Sequence, residues 1–282
     1  MDLIFDTPVE DIIKERCSVR TYREESVPEE LKKMINEYIS DLSNPFHVKV
    51  SFRLLEAAGA ENAGKLGTYG VIKGAGNYIG GSVNEEELAL EGLGYEFETL
   101  ILYLTSLGLG TCWLGGTFKR SEFAKAMSIK EGELFPAIVP FGFSADKKSF
   151  SDSMMRFVAK SDQRKSWSEL FFKGNFSTPL LKSDAGMYEI PLEMLRLGPS
   201  ASNKQPWRIV KDDKLYHFYE QQSPGYSKAF RYDIQRIDMG IAACHFHLTA
   251  MEKGLNGEFR ILADPIAEVP EHTIYRFSWQ AE

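Results

Sequence analysis

The spacing of apolar residues predicts two long buried helices in this chain. Between residues 85 and 107, apolar side chains recur every three or four positions with few charges inside the stretch, which is typical of a helix in a protein core. These side chains are Leu93, Phe97, Leu100, Leu104 and Leu107. A second stretch, from about 238 to 253, predicts a second buried helix on the same grounds.

Shorter signals predict further elements around these two helices. Asp6 and Pro8 indicate the start of a helix over 9–16, and Pro28 indicates the start of another. Apolar runs predict strands at 48–56, near 78–79, at 136–143 and from Trp207 onward. Residues 59–82 are rich in glycine and are otherwise predicted to be loop.

The order of these signals repeats loosely along the chain. Pro191 follows Pro28 by 163 positions, Pro206 follows Pro45 by 161, and Gly254 follows Gly108 by 146. Falling offsets fit a duplicated unit whose second copy has shorter loops, and chance similarity between two α+β stretches is the alternative. We expect a first half at 1–160, a connector at 161–186 and a trimmed second half at 187–282.

The composition is that of a globular protein with an acidic balance. The 282 residues carry a formal net charge of −7, which disfavours nucleic acid or an anionic membrane as a partner. We expect no membrane-spanning helix, because no apolar stretch reaches roughly 18 residues, and we expect no signal peptide. Three cysteines lie far apart, which disfavours a disulfide framework and favours a cytoplasmic location.

Three segments have the composition of ligand-binding loops. Residues 16–20 (RCSVR) offer two guanidiniums and a hydroxyl to a phosphate, unless they only complement the dipole of the first helix. Residues 197–207 (LGPSASNKQPW) are stiffened by prolines and could lie against a planar heterocycle, or form a capped loop. Residues 108–116 (GLGTCWLGG) contain four glycines that would let a ligand approach the backbone, or make a tight connection.

A metal site is not expected. His245 and His247 lie in the second predicted helix, where side chains two positions apart point about 200° apart and cannot share an ion.

Together, RCSVR, GLGTCWLGG and PSASNKQPW resemble the FMN-dependent nitroreductase family. The chain is most similar to the group in which two nitroreductase-like halves are fused, and the resemblance covers nearly the whole sequence. It implies an α+β, nitroreductase-like fold with two pseudo-symmetric halves, each with an antiparallel sheet and a long central helix. It also implies that FMN binds at the interface of the halves.

The resemblance further implies which residues bind FMN. The phosphate would be held by Arg16, Ser18, Arg20 and Arg164. The residues that stand where a backbone N–H meets flavin N5 are Leu114, Gly115 and Gly116. The isoalloxazine would face Pro199, Ser200, Ala201 and Asn203, and its pyrimidine end would lie near Thr68, Tyr69 and Gly70.

The sequence departs from ordinary members of the family in how the motifs are distributed. The first half has SNPF at 43–46 in place of PSxxNxQPW, and the second half has neither RxSxR before Ile190 nor the glycine-rich N5 loop. Each half has kept a different part, so only one site can be complete and we expect one FMN per chain. Because the interface can form within one chain, both a monomeric pseudo-dimer and a homodimer are allowed.

The function implied is that of an NAD(P)H-dependent oxidoreductase. Hydride would pass from NAD(P)H through FMN N5 to a small electron-poor acceptor such as a nitroaromatic or a quinone. No acid or base is needed for hydride transfer itself, so no catalytic side chain is predicted. The alternatives are another flavin reaction, such as flavin fragmentation or reductive dehalogenation, and a flavin-binding protein without turnover.

Overall fold

The structure is a computed structural model that describes residues 5–57, 66–145, 163–263, 265–266 and 268–282. The first part of the chain forms α1 (Val9–Glu15), α2 (Glu29–Asp41), β1 (Val50–Glu56), β2 (Asn77–Val83), α3 (Ala89–Ser106), β3 (Gly110–Thr111), α4 (Arg120–Ala126) and β4 (Leu134–Gly142). The later part forms α5 (Trp167–Leu170), β5 (Phe171–Lys173), β6 (Asn175–Pro179), α6 (Lys182–Ala185), α7 (Glu189–Arg196), β7 (Trp207–Asp212), β8 (Leu215–Gln221), α8 (Gln235–Glu252), β9 (Gly257–Arg260) and β10 (Thr273–Ala281).

Two sheets of related topology pack against the central helices α3 and α8. The first sheet has the order β1-β2-β4-β3 and is antiparallel. The second has the order β6-β5-β7-β8-β10-β9, so its last four strands repeat the order of the first sheet. The four strands of each set can be counted in chain order. In both sets the long helix then connects the second strand to the third. The α+β fold class and the two long helices are therefore confirmed.

The second sheet was expected to be antiparallel, but it is mixed. Strand β5 pairs in parallel with β7, with Phe171 opposite Ile209. Both β5 and β6 lie within the predicted connector at 161–186, so this segment supplies the edge strand β6 and its neighbour β5 to the second sheet. The predicted boundary at residue 160 lies outside the described residues.

The predicted loop at 59–82 is wrong at its end, because Gly80 and Gly81 lie in the middle of β2. A Cβ on Gly81 would be 3.1 Å from the ring of Phe97, and one on Gly80 would overlap Met127 and Phe135. These glycines therefore allow side chains from both faces to approach the strand closely, instead of marking a turn.

Helices α3 and α8 cross at two glycines. A Cβ on Gly94 would overlap the carbonyl oxygen of Ile237, and a Cβ on Gly240 would overlap the carbonyl oxygen of Glu91. Gly240 follows Gly94 by 146 positions, and Ile237 follows Glu91 by the same number. Each of the two contacts therefore becomes the other when the helices are exchanged.

The same exchange relates two side-chain contacts further along the crossing. Glu98 lies 2.9 Å from Nε2 of His245, and the hydroxyl of Thr99 lies 3.3 Å from the sulfur of Cys244. All four residues are buried. With the offset of 146, Glu98 corresponds to Cys244 and Thr99 to His245, so the pairs again exchange. The crossing thus has local pseudo-two-fold geometry.

Candidate functional site

A cavity of about 320 Å³ lies between the two parts of the chain, within the usual size range of small-ligand sites. We call it the central cavity. Its walls come from the segment after α1, the loop after β3, strand β4, the segment before α5, the loop after α7, the segment before α8, and α8 itself. It is lined by Arg16, Ser18, Arg20, Trp113, Gly115, Gly116, Thr117, Ala137, Arg164, Pro199, Ser200, Ala201, Ser202, Asn203, Tyr226, Phe230, Ile234, Ile237, Asp238 and Ile241.

The segment with Arg16, Ser18 and Arg20 is fixed against the edge of the first sheet. Ser18 forms a parallel bridge with Thr111, and the Val19 N–H donates to the Thr111 carbonyl oxygen over 2.8 Å. Consecutive residues of an extended segment alternate in direction, so Ser18 and the two arginines share one face. This face lies on the central cavity.

Arg16 is a nearly buried cation whose Nε has no hydrogen-bond partner within the described ranges. Its Nε lies 3.8 Å from Oε1 of Glu98, too far for a hydrogen bond but close enough for an ion pair. A buried guanidinium normally has its donors satisfied. Arg16 also lines the central cavity, so its positive charge can attract an anion there.

Glu98, a buried residue of α3, connects this arginine to two other parts of the site. Its Oε2 accepts a 2.6 Å hydrogen bond from the indole N–H of Trp113, and its Oε1 lies 2.9 Å from His245 Nε2. His245 Nδ1 lies 3.0 Å from the carbonyl oxygen of Met194. Both ring nitrogens therefore face oxygen atoms. The contact of Nδ1 with Met194 requires a proton on Nδ1, and the contact of Nε2 with Glu98 requires a second proton between these two groups.

The glycine-rich loop lines the cavity only from Gly115 onward. Leu114 is buried and exchanges two 3.0 Å backbone hydrogen bonds with Ile138, so its N–H is already used. Leu114 is not part of the cavity lining, whereas Gly115 and Gly116 are. A Cβ on Gly115 would lie 2.7 Å from the terminal methyl group of Ile234, so any larger residue here would force this side chain to move.

Arg120 at the start of α4 fixes the orientation of this loop. Its guanidinium donates to the carbonyl oxygens of Gly115 (2.6 Å), Phe135 (2.9 Å) and Pro136 (3.2 Å). The C=O and N–H of a trans peptide point in opposite directions, so the N–H of Gly116 is directed away from Arg120.

The loop after α7 has an unusual backbone. Ser202, Asn203 and Gln205 have φ values of 47°, 53° and 49°, a left-handed conformation that costs roughly 1–2 kcal/mol for a residue other than glycine. Such strain persists only where the surroundings enforce it, and it is common at ligand sites. Here the Ser200 hydroxyl accepts from the Gln205 N–H over 2.9 Å, and Asp238 Oδ1 accepts from the Ala201 N–H over 3.0 Å.

Asn203 and Arg164 interact with each other as well as with the cavity. The Asn203 amide donates to the carbonyl oxygen of Gln163 over 2.8 Å, and Arg164 Nη1 donates to Asn203 Oδ1 over 3.4 Å. Arg164 also donates to the Leu197 carbonyl oxygen over 3.1 Å. The segment before α5 is thus held against the strained loop, and both side chains remain part of the lining.

The turn with Thr68, Tyr69 and Gly70 does not line the central cavity as described. The Thr68 hydroxyl accepts from the Ile72 N–H over 3.3 Å, and Tyr69 is 68% exposed. Their assignment to the pyrimidine end, which came from the resemblance, has no support in this geometry, and neither has the role of Leu114.

The sequence reasoning missed several residues of the site, among them the charged residues Glu98, Arg120 and Asp238 and the aromatic residues Tyr226 and Phe230. Glu98 lies inside a helix predicted to be buried, and Asp238 stands at the predicted start of another; a buried charge is usually paired or functional. That signal was present in the sequence. Arg120 gives no such signal, because its role depends on the fold of the loop around it.

The donor set fits a flat ligand with an anionic group. Three arginines and a serine supply charged and neutral donors for an anion, and Arg16 has an unused one. Trp113, Tyr226, Phe230 and three isoleucines supply apolar surface.

Comparisons with known proteins identify the family of this chain. The family model described as "Putative TM nitroreductase" matches residues 9–250. The chain therefore belongs to this nitroreductase family. A search of curated protein sequences gave no match.

Similarity to solved structures extends over nearly the whole chain in one protein and over about half of the chain in two others. A Thermotoga maritima protein, described as a "putative nitroreductase", is 20% identical, with 99% of this chain and 98% of that chain covered and a TM-score of 0.61. A Desulfitobacterium hafniense nitroreductase with bound FMN is 23% identical and covers 50% of this chain and 90% of its own, with a TM-score of 0.40. A Bacteroides fragilis nitroreductase with bound FMN is 19% identical, covering 51% and 92%, also with a TM-score of 0.40.

None of the helices in the described part of the chain is both long and apolar enough to span a membrane.

Proposed function

We propose that this protein is an FMN-dependent oxidoreductase of the nitroreductase type. The observation that carries the proposal is that one cavity brings together three segments far apart in sequence, namely 16–20, 115–116 and 199–203. Membership of the nitroreductase family and FMN in solved nitroreductases support the choice of cofactor. When bound, FMN would accept a hydride from a nicotinamide donor and pass electrons to an acceptor.

The residues of this chain would bind and orient the cofactor. Arg16, Ser18, Arg20 and Arg164 would bind the phosphate, because forked guanidinium donors match its oxygens. Gly115 and Gly116 would bring backbone close to the ring. The N–H of Gly116, which points away from Arg120, would serve as the donor to N5. The strained loop would contact the ring through Pro199, Ser200, Ala201 and Asn203.

The donor we propose is NADH or NADPH, and the acceptor is a small electron-poor molecule such as a nitroaromatic or a quinone. Tyr226 and Phe230 lie in the cavity lining, and aromatic rings suit flat partners. Donor and acceptor would occupy the same space in turn, so we expect ping-pong kinetics.

We also propose that each chain binds a single FMN. Phe46, which belongs to the segment that replaces the ring-binding loop in the first half, packs 5.3 Å from Phe259 and 4.9 Å from Phe277, between ring centroids, and edge-on to Tyr95. With the offset of 146, Tyr95 corresponds to Ile241 of the central cavity. Aromatic side chains therefore pack around the counterpart of a cavity residue, which supports one site in either a monomer or a homodimer.

Anaerobic spectroscopy of the purified protein tests the proposal. We expect a flavin spectrum with one FMN per chain, and rapid bleaching of the yellow absorbance on addition of NADPH or NADH. Bound flavin that neither donor bleaches would favour a flavin-binding protein or another flavin reaction. Protein that neither retains nor takes up FMN would contradict the proposal.

A further inference from the structure

Asp238 is the one acidic side chain in the lining of the central cavity as the structure describes it. It lies in the first turn of α8 and is only 3% exposed. Its Oδ1 accepts the N–H of Ala201 over 3.0 Å, but its buried Oδ2 has no hydrogen-bond partner among the described residues. An unsatisfied buried carboxyl oxygen is costly, so a ligand in the cavity is its natural partner.

The surroundings of Asp238 disfavour a negative charge. Burial raises the pKa of Asp238 well above its usual range, and the carboxylates of Glu220 and Asp233 raise it further, although the hydrogen bond from Ala201 acts in the opposite direction. The charged or titratable groups that share the cavity lining are Arg16, Arg20, Arg164 and Tyr226. None of these donates a hydrogen bond to Asp238 within the described ranges.

A protonated carboxyl group has one oxygen that accepts and one that can donate. With Oδ1 occupied by Ala201, the proton is placed on Oδ2. The oxidised isoalloxazine ring offers several acceptor atoms, its carbonyl oxygens and imine nitrogens, but only one N–H donor. A neutral acid beside this ring could therefore donate a hydrogen bond to any of these acceptor atoms. A carboxylate could only accept, and the ring offers it a single N–H.

We infer that Asp238 is a ligand-binding residue of the central cavity, held as the neutral acid, which donates a hydrogen bond from Oδ2 to an acceptor atom of the flavin ring. The inference rests on the proposed function and adds a residue to it. It also gives Ala201 a defined role, because its N–H orients the acid and links it to the strained loop.

Two substitutions distinguish a donor from an acceptor. In Asp238→Asn the amide keeps an acceptor for the Ala201 N–H and places N–H groups at the position of Oδ2, so it imitates the neutral acid. In Asp238→Ala both functions are lost. We expect the dissociation constant of FMN, measured by quenching of its fluorescence, to rise at least tenfold in the alanine variant and to be restored to within threefold of the wild type in the asparagine variant.

A matched control and a second readout complete the test. Asp41→Asn removes one carboxylate from the exposed end of α2, and FMN affinity should not change. The infrared difference spectrum between the wild type and Asp238→Asn, recorded without FMN, should contain the carbonyl band of a protonated acid. Glu220, whose pKa burial raises to about 8, contributes equally to both proteins and cancels.

The inference is overturned if that band is missing, or if Asp238→Asn binds FMN as poorly as Asp238→Ala, since Oδ2 would then act as an acceptor. These outcomes leave the proposed function intact when the wild-type protein binds FMN. Failure of the wild type to bind FMN would instead remove the proposed function together with this ligand, and the infrared band would still decide the protonation state of Asp238.

Discussion

Arg16 and Arg20 flank Ser18 on one face of an extended segment, and the charge of this face is what would capture a phosphate. Replacing Arg20 with alanine should weaken FMN binding about 10- to 100-fold, because hydrogen bonds to charged groups are worth about 1.5–3 kcal/mol. The dissociation constant from fluorescence quenching gives the result. Arg260→Ala, at an exposed position of β9, is the control and should bind normally. Full retention of FMN by the Arg20 variant would show that the phosphate is held elsewhere.

His247 makes the stability of the fold sensitive to acid. Burial lowers its pKa to about 4, and its Nδ1 lies 2.7 Å from the Tyr95 hydroxyl. The unfolded chain takes up the proton near pH 6.5, so the folded state loses stability as pH falls from there towards 4, by up to about 3 kcal/mol.

His247→Gln should therefore reduce the loss of unfolding free energy between pH 7 and pH 4.5, measured with denaturant. The comparison with the wild type isolates His247, because buried acids such as Glu96, whose pKa burial raises to about 7, act with the opposite sign in both proteins. An equal slope in the His247 variant would contradict this account.

At the scale of single residues, the sequence predicted the part of the site that is encoded in short motifs. Residues 16–20 and Pro199–Asn203 carry their chemistry locally, and both reach the cavity. The role of Leu114 depended on which N–H was left after β4 had formed its bridge with this loop. Such pairing is a property of the fold and could not be determined from the motif.

Among the elements, the crossing of α3 and α8 has the least room for change. Gly240→Ala would place a methyl group onto the backbone of Glu91, and the rigid carbonyl cannot move aside as a side chain would. We expect the free energy of unfolding to fall by about 3 kcal/mol, after the gain of about 1 kcal/mol in helix propensity. Denaturant titration measures it.

Gly76→Ala is the matched control for this substitution. A Cβ at Gly76 would have nothing within 4 Å, so the change in unfolding free energy should stay within about 0.5 kcal/mol. A Gly240 variant as stable as this control would mean that the helices can separate without cost.

The long helices could be predicted because the periodic spacing of Leu93, Phe97 and Leu100 reflects burial directly. Strand β2 was underestimated because glycine signals turns and close packing alike, and only the neighbours Phe97 and Phe135 distinguish these roles. Strands β5 and β6 were not predicted because they are short and because the pairing of β5 with β7 depends on distant sequence.

At the scale of the whole molecule, the residues described as lining the central cavity come from both parts of a single chain. FMN affinity should therefore be independent of protein concentration over a roughly hundredfold range, unlike that of a site completed by a second subunit. Fluorescence titrations at several protein concentrations, with light scattering to follow the oligomeric state, measure this. An affinity that falls on dilution, in step with dissociation of a dimer, would show that a partner chain contributes to the site.

The exchange-related contacts at Gly94 and Gly240 have a further consequence. In a dimer of identical subunits, every substitution occurs twice and alters both copies of the interface. Here the two sides of the crossing are encoded by separate stretches of one sequence. One side can therefore have Asp238 where the other side has its counterpart, Gly92. A single substitution can therefore change the central cavity without changing the corresponding region on the other side of the crossing.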